Sequence, residues 1–123
     1  MSSITAITST NLFQLMSQCV GTENYYYNHF LSFKYTDGVK IFCDEARAYW
    51  LLNLIESVVH NYPQFFKDLI SVILFVNNDN TAKIQFKNDE KIFYQQDIPY
   101  TDCPQGEWDF FFQNDVLFYE KEY

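Results

Sequence analysis

An α+β fold follows from three observations on this chain. Apolar residues recur at helical spacing in the first half. They run or alternate at strand spacing in the second half, and short polar clusters separate the second-half runs. The expected architecture is a set of N-terminal helices packed on a C-terminal antiparallel meander of about four to five strands. Residues 1–10 read as a flexible N-terminal tail, with a short strand or turn at Ile4–Ile7, and residues 11–123 as a single α+β domain. At 123 residues, 48% of them apolar, the chain can bury a core without disulfides or metal.

The first helix is expected over Asn11–Val20, where Leu12, Leu15, Met16 and Cys19 share one face. Thr10 or Asn11 can cap it and Gly21 stops it. A second helix is expected to start at Thr22 and carry Tyr25, Tyr26, Tyr27, His29, Phe30 and Leu31. Tyr35-Thr36-Asp37-Gly38 reads as a turn or cap. The third helix has the strongest signal. Ala48, Leu51, Leu52, Ile55, Val58 and Val59 form an apolar stripe behind Asp44-Glu45, and Pro63 closes it.

Leu69–Val76 is apolar at nearly every position, which predicts a strand covered on both faces. Ala82, Ile84 and Phe86 alternate with Lys83, Gln85 and Lys87, as in a half-exposed strand. Ile92–Ile98, Trp108–Gln113 and Val116–Tyr119 complete the meander, with turns at Asn77–Asn80, Asn88–Glu90 and Asn114-Asp115. Tyr35-Thr36-Asp37 returns as Tyr100-Thr101-Asp102. Both copies sit at expected turns, where Thr and Asp bond their own backbone.

Composition narrows the function. One residue in five is aromatic, and the formal charge is -8. That is more ring surface than a core of this size needs, so some rings must lie outside, beside carboxylates. Such a surface suits a protein with a basic face and repels nucleic-acid phosphates, so no direct nucleic-acid contact is expected. The acidity is local. Residues 100–123 hold Asp102, Glu107, Asp109, Asp115, Glu120 and Glu122 against Lys121 alone, whereas Glu23 balances Lys34 in residues 1–36. No run approaches the ~18 apolar residues of a membrane span. The N-terminus lacks the basic start of a secretory signal, and the expected compartment is the cytoplasm.

Catalytic signals are thin. Cys19, Cys43 and Cys103 have no metal-ligand spacing and read as reduced, buried thiols. A His29–Cys43 dyad with Asp37 would define a small hydrolase. A structural His29 is the plainer reading, and His60 suits the C-terminal end of a helix. Asp44-Glu45 and Asp89-Glu90 are neighbours whose side chains diverge. Lys83, Lys87 and Lys91 read as a solvated sheet face. No phosphate-binding loop or hydrolase motif occurs. The expectation is a non-enzymatic protein without cofactor or metal.

Two clusters stand out as partner-binding candidates. In Tyr25, Tyr26 and Tyr27, three successive helical positions span about 200°, so at least one ring must be exposed. In the C-terminal hairpin, Trp108, Asp109, Phe111, Asp115, Glu120 and Glu122 combine rings with acids.

Gly21-Thr22-Glu23-Asn24-Tyr25-Tyr26, Tyr35-Thr36-Asp37-Gly38-Val39, Ala48-Tyr49-Trp50-Leu51-Leu52 and Tyr100-Thr101-Asp102-Cys103-Pro104 together resemble a family of small bacterial and phage-borne domains of unknown function. The resemblance spans roughly residues 20–123 and offers no catalytic residues. It implies a small domain of a bacterium or its mobile elements. Joined to the acidic composition, it leads to the expectation of an anti-CRISPR-like inhibitor. Such a protein would bind the basic surface of a CRISPR effector or its guide-RNA complex, for instance an RNA-targeting type VI effector. The alternative is a homodimeric interaction module, joined through the Phe-rich hairpin and without a defence role.

Overall fold

The computed structural model describes residues 7–19 and 24–122. The expected turn or strand start at Ile4, the helix stop at Gly21 and the helix start at Thr22 lie outside those residues.

Helix α1 spans Ser9–Ser17, earlier than its apolar stripe indicates, because Thr8 is the cap: its Oγ1 accepts from Asn11 N at 3.2 Å. It buries Leu12 and Met16, and Phe13 stacks on Trp108 with centroids 4.2 Å apart. The expected tyrosine-bearing second helix is not formed. Tyr25–Tyr26 is instead a short strand, β1, paired antiparallel with β2 (Lys34–Thr36). Aromatic residues favour pleated pairing. Asn28 turns the chain at once, its side chain accepting from Phe30 N at 2.9 Å and its carbonyl from Leu31 N at 3.2 Å.

Asp37–Glu45, expected to be only a cap and a helix lead-in, is a full helix, α2. It buries Val39, Phe42 and Cys43, followed by Ala46. Gly38 is required there by close approach, since a Cβ would lie 2.5 Å from Glu122 Oε1 and 3.0 Å from Tyr119 Cβ. Arg47, with φ of 55°, turns the chain into α3, Tyr49–Asn61. That helix buries Leu51, Leu52, Ile55 and Val58 as its stripe predicts, and Pro63 opens a 3-10 turn after it.

The strands β3 (Ile70–Val76), β4 (Ala82–Asn88), β5 (Lys91–Ile98), β6 (Gly106–Gln113) and β7 (Val116–Tyr119) follow the expected segments. The sheet differs from the expected meander in three ways. Among the described residues it has seven strands, ordered β1-β2-β7-β6-β3-β4-β5. It is mixed, because β2 pairs parallel with β7. The helices also do not precede all the strands, since β1 and β2 lie between α1 and α2.

The β6–β7 hairpin returns to β3 rather than extending β5. The loop between β5 and β6 crosses back, held by Thr101 N donating to Asn80 O at 2.9 Å and by Trp108 Nε1 donating to Pro104 O at 3.0 Å. This order places β3 and β6 side by side in the interior of the sheet.

One face of the sheet meets the helices. Ile70, Val72, Leu74, Ile84, Phe86, Trp108, Phe110, Phe112, Leu117 and Tyr119 join Leu12, Met16, Val39, Phe42, Leu51 and Ile55 in one core. Burial alternates strictly along β3. The expectation that β3 is covered on both faces is therefore corrected: only one of its faces is buried.

Candidate functional site

Parts of the two clusters singled out by sequence adjoin at one end of the sheet: Tyr25 and Tyr27 from the first, Asp115 and Glu122 from the second. In β1, Tyr26 faces the helices. Its ring stacks on Tyr35 with centroids 5.7 Å apart, and its hydroxyl donates to Asp37 Oδ1 at 2.9 Å. Strand alternation therefore turns Tyr25 the opposite way, where it is 58% exposed. Tyr27 follows at 68% exposure, edge-on to His29 with centroids 6.5 Å apart.

β2 delivers these rings to the C-terminal hairpin. Lys34 sits opposite Val116, and Lys34 N donates to Asp115 O at 2.9 Å. The hairpin turn, Asn114-Asp115, has φ of 54° and 60°, both left-handed, as a two-residue type I′ connection requires.

Two shallow grooves adjoin this turn and share Asn114 and Val116. One, of about 350 Å³, lies between Tyr25, Phe118 and Glu122. The other, of about 400 Å³, lies between Tyr27, Leu31 and Asp115. Residues nearly ninety apart in sequence thus frame one surface of rings, carboxylates and small hollows.

The remaining candidates divide. Trp108 is wholly buried beneath Phe13 and beside Phe42, so it cannot serve as an exposed anchor. Tyr26 and Glu122 are largely engaged within the fold. Glu122 accepts from Thr36 Oγ1 at 2.6 Å, Tyr119 N at 2.9 Å and Gly38 N at 3.2 Å. Its carboxylate closes the N-terminal end of α2. Asp115 and Glu120 are exposed.

Asp109 and Phe111 lie further in, on the sheet face turned away from the helices, with Phe111 and Phe118 rings 5.9 Å apart. Asp109 Oδ1 is buried and without a hydrogen-bond partner. Burial, then hydrogen bonding with Glu107 and the charges of Glu107 and Glu120, push its carboxyl up to about 7, against the pull of Lys87.

The Thr36–Glu122 link was not foreseen from the sequence. Thr36 and Thr101, the central residues of the two Tyr-Thr-Asp segments, are the two buried polar residues among those described. Thr101 Oγ1 accepts from Cys103 N at 3.1 Å, and Tyr100 OH donates to Asp102 Oδ1 at 2.8 Å. The echo of the motif was the available signal. It marks two places where a hydroxyl had to be satisfied inside the fold.

The His29–Cys43–Asp37 constellation does not assemble. Cys43 is fully buried in α2, His29 is exposed beside Tyr27, and Asp37 accepts from Tyr26 and Asn24. All three cysteines are free thiols, and burial raises the pKa of each, Cys103 to about 11. None has the depressed pKa of a nucleophile. Among the described residues no cluster of His, Cys, Asp and Glu could hold a metal ion, and no helix is long and apolar enough to cross a membrane.

Residues 10–123 match a family of unknown function, DUF6876. No curated protein and no solved structure gives a match.

Proposed function

We propose that this chain, which belongs to the DUF6876 family of unknown function, is a non-catalytic docking module for a protein with a basic surface. The observation that carries the reading is the convergence of exposed Tyr25 and Tyr27 with Asp115 around two adjoining grooves at the β1–β2–β7 end of the sheet. Rings with two rotatable bonds anchor contacts at low entropic cost, and the net negative charge of the chain, against which Lys34 stands alone among the described residues lining the Tyr27 groove, steers a cationic partner. The formal charge of -8 supports the same partner chemistry. Within this reading, the basic surface of a defence nucleoprotein such as a CRISPR effector is the proposed target. The protein would act by occupying that surface rather than by chemistry.

Affinity capture from a bacterial lysate tests it, run at low and moderate salt with the native chain and with Tyr27→Ala/Asp115→Lys. The expected result is a retained protein with a basic surface whose capture falls with salt and drops about tenfold, or ~1.4 kcal/mol, in the double variant. Equal capture by both forms would remove this end of the sheet as the docking site.

A further inference from the structure

The composition of β3 disagrees with its surroundings. Ile70–Val76 is apolar except at Ser71, the pattern of a strand covered twice, and β3 lies inside the sheet between β6 and β4. Yet only Ile70, Val72, Leu74 and Val76 meet the helices. Ile73 and Phe75 lie on the opposite face, half-buried by their strand neighbours alone.

The charges beside them are sorted by strand. On this face β4 presents Lys83 and Lys87, whereas β6 presents Glu107 and Asp109. Pairing aligns three rows across β3, Lys83–Phe75–Glu107, Gln85–Ile73–Asp109 and Lys87–Ser71–Phe111, so that Lys83 is the lysine set opposite a carboxylate. Among the described residues the one ion pair is Lys40–Asp44, on α2. Lys83 and Glu107 are both exposed.

We infer that this face binds a second copy of the chain, the two sheets packed face to face about a two-fold axis running along β3. A half-turn about that axis exchanges the sides of the sheet. Lys83 of each copy then lies over Glu107 of the other, and Phe75 and Ile73 meet their own counterparts in the centre. Strands of the two sheets stay nearly aligned, the common arrangement for stacked sheets. An axis running across the strands would instead set the lysines of one copy against those of the other. Asp97, the cross-strand neighbour of Lys83, offsets part of the basic strip without changing its sign, because Lys87 lies beside it.

A face carrying both signs on either side of an apolar strand fits itself better than any partner of one sign. Four strands lie on one side of β3 and two on the other. The overlap therefore leaves β1 and β2 outside it in each copy. The dimer would present two copies of the Tyr25–Tyr27 end, and the inference stands independently of what binds there.

Sedimentation of the full chain over a range of concentrations tests it, using the native protein, Lys83→Glu, Glu107→Lys and the double exchange. Both positions are exposed, so each variant should fold, which circular dichroism checks. The native chain is expected to dimerise. Each single reversal should weaken dimerisation tenfold or more, and the double exchange should recover most of the loss. Tyr27→Ala/Asp115→Lys should leave the dimer intact, so failure at the sheet end and failure at this face are read separately. A native monomer at high micromolar concentration, or a double exchange no better than the singles, would overturn the inference.

Discussion

Single carboxylates show how position decides what an acid does in this chain. Asp109 and Glu122 read alike in the sequence, as negative residues in an acidic C-terminal stretch. Asp109 sits on the sheet face with Oδ1 buried and Glu107 and Glu120 nearby, and its carboxyl is raised to about 7. The folded chain therefore holds a proton that the unfolded chain releases near the ordinary aspartate value of 3.8. The resulting stability is full below that value and is lost as pH rises through about 7. Asp109→Asn should flatten the decline and stabilise the protein at mildly alkaline pH. Discounted for partial exposure, the gain is on the order of 1 kcal/mol, visible in thermal melts at several pH values. An unchanged pH profile would count against the buried acid.

Glu122 does the opposite work, accepting from Thr36 Oγ1, Tyr119 N and Gly38 N. Glu122→Ala leaves these donors without their acceptor and should cost about 1–3 kcal/mol, measured by denaturant unfolding. A loss within a few tenths would mean that water replaces the carboxylate.

At the scale of elements, long periodic segments were legible and short ones were not. The stripe of α3 and the runs of β3, β4 and β6 could be read from spacing, because each buries a face several residues long, and β5 and β7 from the polar turns that bound them. The segment around Tyr25 is a strand where local spacing predicts a helix, since two residues of strand carry too little pattern to outweigh it. Its pairing with β2 joins residues nine and eleven apart, a contact that periodicity along a single element does not report. For α2 the signal was present: Val39, Phe42, Cys43 and Ala46 lie at i, i+3, i+4 and i+7, masked by the turn residues Asp37-Gly38 at its start.

The β4–β5 turn offers an element-scale test. Asp89 and Glu90 have φ of 50° and 73°, the left-handed pair of a type I′ turn, and Glu is poorly suited to it. Glu90→Gly removes that strain and should raise stability by roughly 0.5 kcal/mol after the added backbone entropy of glycine. Destabilisation on thermal unfolding would show that the Glu90 side chain contributes more than the strain costs.

At the scale of the whole molecule, the sheet order converts a chain-end bias in charge into surfaces. Residue counts determined that the protein is acidic and rich in rings, and local period that it is α+β. The sequence also placed the partner-binding candidates in two separate segments. Tertiary structure decided that Tyr25, Tyr27 and Asp115 meet, since the parallel β2–β7 pairing joins segments about eighty residues apart. It decided too that Trp108 is core and that Glu122 closes a helix, because which face of a strand or turn is covered depends on what packs there. The two-sided apolar character of β3 was written in its sequence. Only the sheet order, with lysines on one flank and carboxylates on the other, gave that uncovered face a geometry for self-association, because cross-strand register is set by pairing between distant segments and not by any local pattern.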